Sequence, residues 1–310
     1  MRLPHWFTPF ALSAAVVATI APVAAYTVSL ALAGAWHVHV ELGWVRERMG
    51  ARLVWALAPL GAIAALRLAA YAGRAPPWAI AAELTLGAGL VIATIPALPH
   101  TRARLVAAGV GASFAAGIVA SPLATLVLFA LLHNLTPLGF FADRGVRMAL
   151  PTALFVGLPA LAALVPIEQA FDPAGPARAH LGAFVPPGAP PALEAPLFRA
   201  AVTAQLLHYG AVIGVLGAWR GARPRAAEAM AAVGSTALFA YFAVEFNDAR
   251  RLYGAVAAVH AWIELPGLLL ALGGGLDPYQ VSQAPTLAEK PFAAAEIASA
   301  RRGGTPANRA

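Results

Sequence analysis

Runs of about twenty apolar residues, each long enough to cross the hydrocarbon core of a membrane, recur between residues 6 and 272. A helix of a soluble protein would place polar residues along one face at helical spacing, and these runs mostly do not. Nor do they alternate apolar and polar positions in the way of a membrane barrel. The pattern predicts an all-α fold, a polytopic integral membrane helical bundle of about nine transmembrane helices. The first span is long, about 6–45, with Pro22 as its kink. The others cover about 53–73, 77–99, 104–120, 123–141, 148–167, 197–219, 227–246 and 252–272. Small residues inside the spans, such as Gly111, Ala112, Ser113 and Ala115, let helix backbones approach one another in lipid.

Two stretches break the pattern. Residues 168–195 open on Asp172-Pro173-Ala174-Gly175-Pro176 and continue through Pro186, Pro187, Pro190 and Pro191. Prolines at that density predict an extended loop on the solvent side. After Gly273, Gly274 and Gly275 the chain turns polar and small, which divides it into a transmembrane helical domain, 1–275, and a disordered cytoplasmic tail, 276–310. The first forty residues carry no small-residue cleavage signal and are read as a retained span.

Composition agrees with this reading. Of 310 residues, 60% are hydrophobic and 11% charged, whereas soluble domains carry about a quarter charged residues. The absence of cysteine excludes disulfides, thiolate metal sites and cysteine nucleophiles. The net charge of +7 gives no reason to expect a nucleic-acid partner, because the arginines stand singly or in small groups at the ends of apolar runs. The connections after spans one, three, five and seven, with the tail, hold Arg46, Arg48, Arg52, Arg102, Arg104, Arg144, Arg147, Arg220, Arg223, Arg225, Lys290, Arg301, Arg302 and Arg309, which is 14 of the 21 basic residues. The positive-inside rule therefore predicts an external N-terminus and a cytoplasmic C-terminus in a membrane of the bacterial inner type.

Ionisable residues inside spans are costly unless paired or used, so they carry the candidate chemistry. His5, His100 and His180 fall outside or at the ends of spans. His133, His208 and His260 lie about ten, eleven and eight residues into three spans that run in the same direction, which puts them within roughly 5 Å of one another in depth. His37 approaches the same layer if the first helix begins late or tilts. His37 and Glu41, and again His260 and Glu264, are spaced i and i+4 and so share a helix face. Imidazoles and carboxylates together suit iron, zinc or manganese, with a carboxylate either binding the metal or orienting an imidazole. Gln205, Asn134 and Tyr209 are expected around this set, with Thr136 and Trp262 nearby. His39 points to another face. Glu83 has no evident partner, and Glu245, Asn247 and Asp248 lie close to Arg250 and Arg251. The plainer account of any one such histidine is a hydrogen bond between helices.

The only lysine is Lys290, in the tail, so the Schiff base of a seven-helix retinal protein is excluded. The His-x-x-His boxes of membrane desaturases do not occur. In size, and in placing single histidines on several helices, the chain resembles the polytopic bacterial carotene-cleaving dioxygenases, which arrange such histidines around iron. The Pro-His-Gly and His-Ser-x-x-His motifs of that family are not found, so the resemblance is one of architecture and implies no residue roles.

The expectation is a membrane-embedded, metal-dependent oxidoreductase, with non-haem iron held by His37, Glu41, His133, His208, His260 and Glu264. Its substrate would be a lipid or isoprenoid that reaches the site through the bilayer. The alternatives are a haem protein for electron transfer, with two histidines as axial ligands, and a proton-coupled transporter that uses Glu83, Glu264 and the histidines.

Overall fold

The computed structural model describes residues 2–165, 178–186, 188–219 and 225–274. The chain divides into a unit Met1–Gly275 and a second, Leu276–Ala310. The tail forms the second unit and lies outside the described residues, as do residues 168–177 of the proline-rich segment.

Helices and short turns make up the described structure, and no strand occurs among the described residues. In chain order the helices are α1 (Phe7–Ile20), α2 (Pro22–Met49), α3 (Leu53–Tyr71), α4 (Ala79–Ala93), α5 (Thr101–Ala120), α6 (Pro122–His133) and α7 (Pro137–Asp143). There follow α8 (Ala149–Thr152), α9 (Leu158–Leu164), α10 (Arg178–Leu181), α11 (Pro191–Tyr209), α12 (Gly217–Trp219), α13 (Arg225–Val244) and α14 (Phe246–Leu272). A π-turn, Ala153–Gly157, joins α8 to α9, and another, Gly210–Leu216, joins α11 to α12.

Six helical stretches are long and apolar enough to cross a membrane, or seven if the bent pair α6–α7 counts as one. Their outer surfaces stay apolar: Val119 is 88% and Val244 78% exposed, which suits lipid and not water. These are the long apolar helices of a membrane-embedded protein. Nine separate spans are not reproduced. The first expected span is two helices, because Ala21 breaks the ladder with φ −142° and Pro22 starts α2 afresh. Within Pro22–Tyr71 the helical path is continuous except for a 3-10 turn at Gly50–Arg52, where Gly50 takes φ +54°. That glycine reverses the chain, since Leu30 and Leu66 line one cavity although a straight helix would separate them by about 54 Å. Phe7–Ile20 and Ala149–Leu164 fall short of membrane length. The expected loop also ends early: α11 begins at Pro191, which is tolerated at the first helical position because its missing N–H has no partner there in any case.

Proline also sets the bend between α6 and α7. Pro137 has no N–H to offer the carbonyl of His133, four residues earlier, so the helix stops at His133 and resumes at an angle of 45°. Thr136 takes up the released carbonyl, its N–H donating at 3.0 Å and its hydroxyl at 2.7 Å. At the other end of α6, Pro122 fills the first position and Ser121 Oγ accepts from Ala124 N at 3.4 Å.

The centre of the unit is α14, which packs against α2, α3, α4, α5, α7 and α13. Its residues from His260 to Glu264 are all buried, as expected of a helix enclosed on every side. Glycine notches bring neighbours close. A Cβ on Gly87 of α4 would stand 2.2 Å from the Trp262 ring, and one on Gly139 of α7 would stand 2.5 Å from Leu268. Phe10 of α1 and Trp6, which precedes that helix, seat in the same way on Gly210 and Gly214 of the second π-turn.

Candidate metal centre

Four helices supply five side chains to one point. His37 and Glu41 come from α2, His133 from the last turn of α6, His208 from α11 and His260 from α14. His37, Glu41, His208 and His260 are each at most 3% exposed. The π-turn starts directly after Tyr209. Such turns are common at functional sites, and this one lies against the α1 rings.

The geometry centres on the Nε2 atoms. His260 Nε2 lies 3.3 Å from His37 Nε2, 3.1 Å from His133 Nε2 and 3.0 Å from Glu41 Oε2. Glu41 Oε1 is 3.0 Å from His208 Nε2, and its Oε2 is 3.9 Å from His37 Nε2. A ring nitrogen carries one proton or one lone pair, so protons cannot satisfy three such contacts at His260 Nε2. A cation can. With nitrogen ligands at about 2.0–2.1 Å, neighbouring ligand atoms fall roughly 3.0–3.4 Å apart; the contacts of His260, and that of His208 with Glu41, lie in this range, while the ligand atoms of His37, Glu41, His133 and His208 spread over up to 4.8 Å.

The far nitrogens support this reading. His133 Nδ1 stands 2.8 Å from Glu264 Oε2, and His37 Nδ1 stands 3.3 Å from the Ala33 carbonyl. The Ala33 carbonyl only accepts, so His37 Nδ1 carries the proton and its Nε2 keeps its lone pair for the centre, while His133 Nδ1 meets the Glu264 carboxylate at ion-pair distance outside hydrogen-bond geometry. His208 Nδ1 and His260 Nδ1 have no hydrogen-bond partner among the described residues.

The pairing differs from the i, i+4 expectation. His37 and Glu41 do share a face, but at 3.9 Å their contact is loose. Glu264 pairs with His133 and not with His260, whose carboxylate partner is Glu41 on another helix. Helix-to-helix packing, which local spacing does not encode, decides both. Glu264 thereby positions an imidazole from behind and does not itself point at the Nε2 atoms.

Tyr209 lies against His37, with ring centroids 4.4 Å apart. Gln205 lines the adjoining cavity but donates to Ser29 Oγ at 3.0 Å, and Asn134 donates back to Ala130 O at 3.1 Å, so neither reaches the cluster. His39 is turned away against Trp36. His5 and His100 are exposed. His180, in α10, packs between Tyr26 and Phe246; burial, and then the nearby Arg250 charge, lower its pKa below the ordinary histidine value.

Glu83 does have partners. Arg67 grips it from both sides, Nε to Oε2 at 2.6 Å and Nη2 to Oε1 at 2.7 Å, and Trp262 Nε1 donates to Oε1 at 3.1 Å. Arg67 precedes it by sixteen residues across the α3–α4 hairpin, a pairing that the i, i+4 rule does not reach.

A cavity of about 610 Å³ opens onto the cluster. His37, His133, His208 and His260 line it and Glu41 does not, so an entering molecule meets the imidazoles, with the carboxylate behind them. No protein family, curated protein or solved structure matches this chain.

Proposed function

We propose that the protein is a membrane-embedded oxidoreductase in which His37, Glu41, His133, His208 and His260 hold a non-haem metal, iron by preference, and which acts on a lipid or isoprenoid. One observation carries this reading: the Nε2 atoms of four histidines and a buried carboxylate gather in one cluster that lines a largely apolar cavity, with His37, Glu41, His133 and His208 able to offer ligand atoms within 4.8 Å of one another. Imidazoles mixed with a carboxylate suit iron. Haem fits less well, since axial ligands on opposite faces of one iron stand about 4 Å apart with a macrocycle between them. Bound iron would supply redox chemistry towards dioxygen, the oxidant that the reaction requires.

The chain's own residues do the rest. Glu41 would offset the cation's charge in a buried site, and Glu264 and the Ala33 carbonyl orient the imidazoles of His133 and His37. The walls formed by Leu66, Ile80, Leu126, Val127, Phe129 and Ala257 exclude water and hold an apolar chain against the imidazoles. The test is elemental analysis and an absorption spectrum of protein purified without chelators. About one iron per chain with no Soret band is expected. A Soret band would favour haem, and metal-free protein would leave proton-coupled transport as the better account.

The basic-residue count also leads us to place the cavity mouth, between the α3–α4 connection and the start of α14, on the external side. The chain has no cysteine, so a single Ala75→Cys, at an exposed position of that connection, reports sidedness directly. It should react with an impermeant maleimide on intact cells; labelling only after lysis would reverse the orientation.

A further inference from the structure

The cavity is apolar near the histidines and cationic at its mouth. Among the described residues its charged lining consists of Arg67, Arg250, Arg251 and a single carboxylate, Glu83. Arg251 stands nine residues before His260 on α14, about 14 Å along the helix, and Arg67 lies one turn from the end of α3. Arg251 therefore sits at the membrane-surface end, away from the imidazoles, and Arg67 lies deeper, held on the Glu83 carboxylate that Trp262 Nε1 also meets.

Glu83 balances the charge of Arg67 but does not use all of its donors. It occupies the Nε and Nη2 atoms of Arg67, while Nη1 makes no hydrogen bond among the described residues and the side chain is 30% exposed. Arg251 is held in place, its Nη2 donating to the carbonyls of Ala70 and Tyr71 at 3.1 Å each, with its guanidinium 5.9 Å above the Tyr71 ring. Its one acidic neighbour, Asp248, is exposed and 3.4 Å away. The mouth thus presents positioned guanidinium groups with donors to spare, and such forks bind carboxylates and phosphates.

We infer that the ligand of this cavity is an anion-headed amphiphile: a long apolar chain that ends in a carboxylate or phosphate, head at Arg67 and Arg251 and chain towards the imidazoles. As a substrate assignment this rests on the metal-centre reading; as a binding assignment it does not. The head-to-histidine distance then selects which part of the chain lies beside the centre.

The test is binding of a fluorescent long-chain fatty acid to the purified full chain in micelles, with its methyl ester and the matching alkyl phosphate as competitors. Acid and alkyl phosphate should bind roughly tenfold or more tightly than the ester, as expected of charge-assisted hydrogen bonds. Acetate or inorganic phosphate alone should not displace the probe, because the chain supplies much of the affinity; displacement by either would reassign the mouth to a free anion and overturn the amphiphile. Replacing both members of the pair, Arg67→Met with Glu83→Leu, avoids stranding a buried charge and should abolish the preference for acid over ester, while Arg67→Lys should retain most of it. His260→Gln should leave the preference intact even after metal is lost, which separates this inference from the metal reading. Equal affinity for acid and ester in the wild type overturns the inference whatever the metal content.

Discussion

Glu41→Gln is expected to strip the metal while the bundle stays folded. Glutamine keeps the size of the side chain and one acceptor, but not the charge that two imidazoles approach at 3.0 Å. A cation in a buried site ringed by neutral imidazoles would then lack its nearest countercharge. Loss of outer residues costs roughly 10–100-fold in affinity, and loss of a ligand should exceed that. Metal per chain in Glu41→Gln should fall below about a tenth of the wild-type value on that scale, and His260→Gln and His208→Gln should behave alike. Glu264→Gln should be milder, because it acts on His133 from behind: metal present after purification but drawn off by a weak chelator. His39→Gln, turned away against Trp36, serves as the control. Undiminished metal in Glu41→Gln would show that the carboxylate is not a ligand. Graded losses of stability with no metal in any variant would mean that the cluster only packs.

The second large effect lies at the opposite end of the bend. Asp143 closes α7 and is gripped by Arg48 of α2, Nη2 to Oδ2 at 2.6 Å, with the two side chains 8% and 6% exposed. Trp44 Nε1 donates to the same oxygen at 3.4 Å. Asp143→Leu would leave the Arg48 charge buried without its partner, a change that costs about 3–5 kcal/mol. Replacing both residues, Arg48→Met with Asp143→Leu, should recover most of that loss, because an apolar pair of similar volume carries no desolvation penalty. Thermal unfolding in micelles measures both. Equal stability of the single and double variants would show that the ion pair contributes nothing to holding α7 on α2.

How much of this was legible in the sequence follows from what local pattern encodes. Apolar runs marked where helices lie, because hydropathy is a property of the segment itself. Depth counting brought His133, His208 and His260 to one layer, because helical rise is constant. The continuity of helices was less visible. Ala21 breaks a run that hydropathy reads as unbroken, and the π-turn after Tyr209 leaves no mark on composition. Pairing was least visible. Glu41 with His208 and His260, Glu264 with His133, and Glu83 with Arg67 and Trp262 all join different helices. Which helices meet depends on notches such as Gly87 beneath Trp262, and no spacing rule states it. The proline signal at Pro137 could have located the bend at His133, had the missing N–H been traced back four residues.

That bend has an electrical consequence. A helix that turns by 45° passes only part of its dipole on to the next segment, so a fraction of the negative pole of a free C-terminus stays at the break. The α6 helix ends at His133, so its negative pole lies at the cluster, in surroundings where little screens it. The backbone thus adds a small bias towards a positively charged guest to the larger one of Glu41 and Glu264. The same remainder opposes an anion at the full depth of the cavity, so the amphiphile inferred above would meet it with its neutral chain and not with its head.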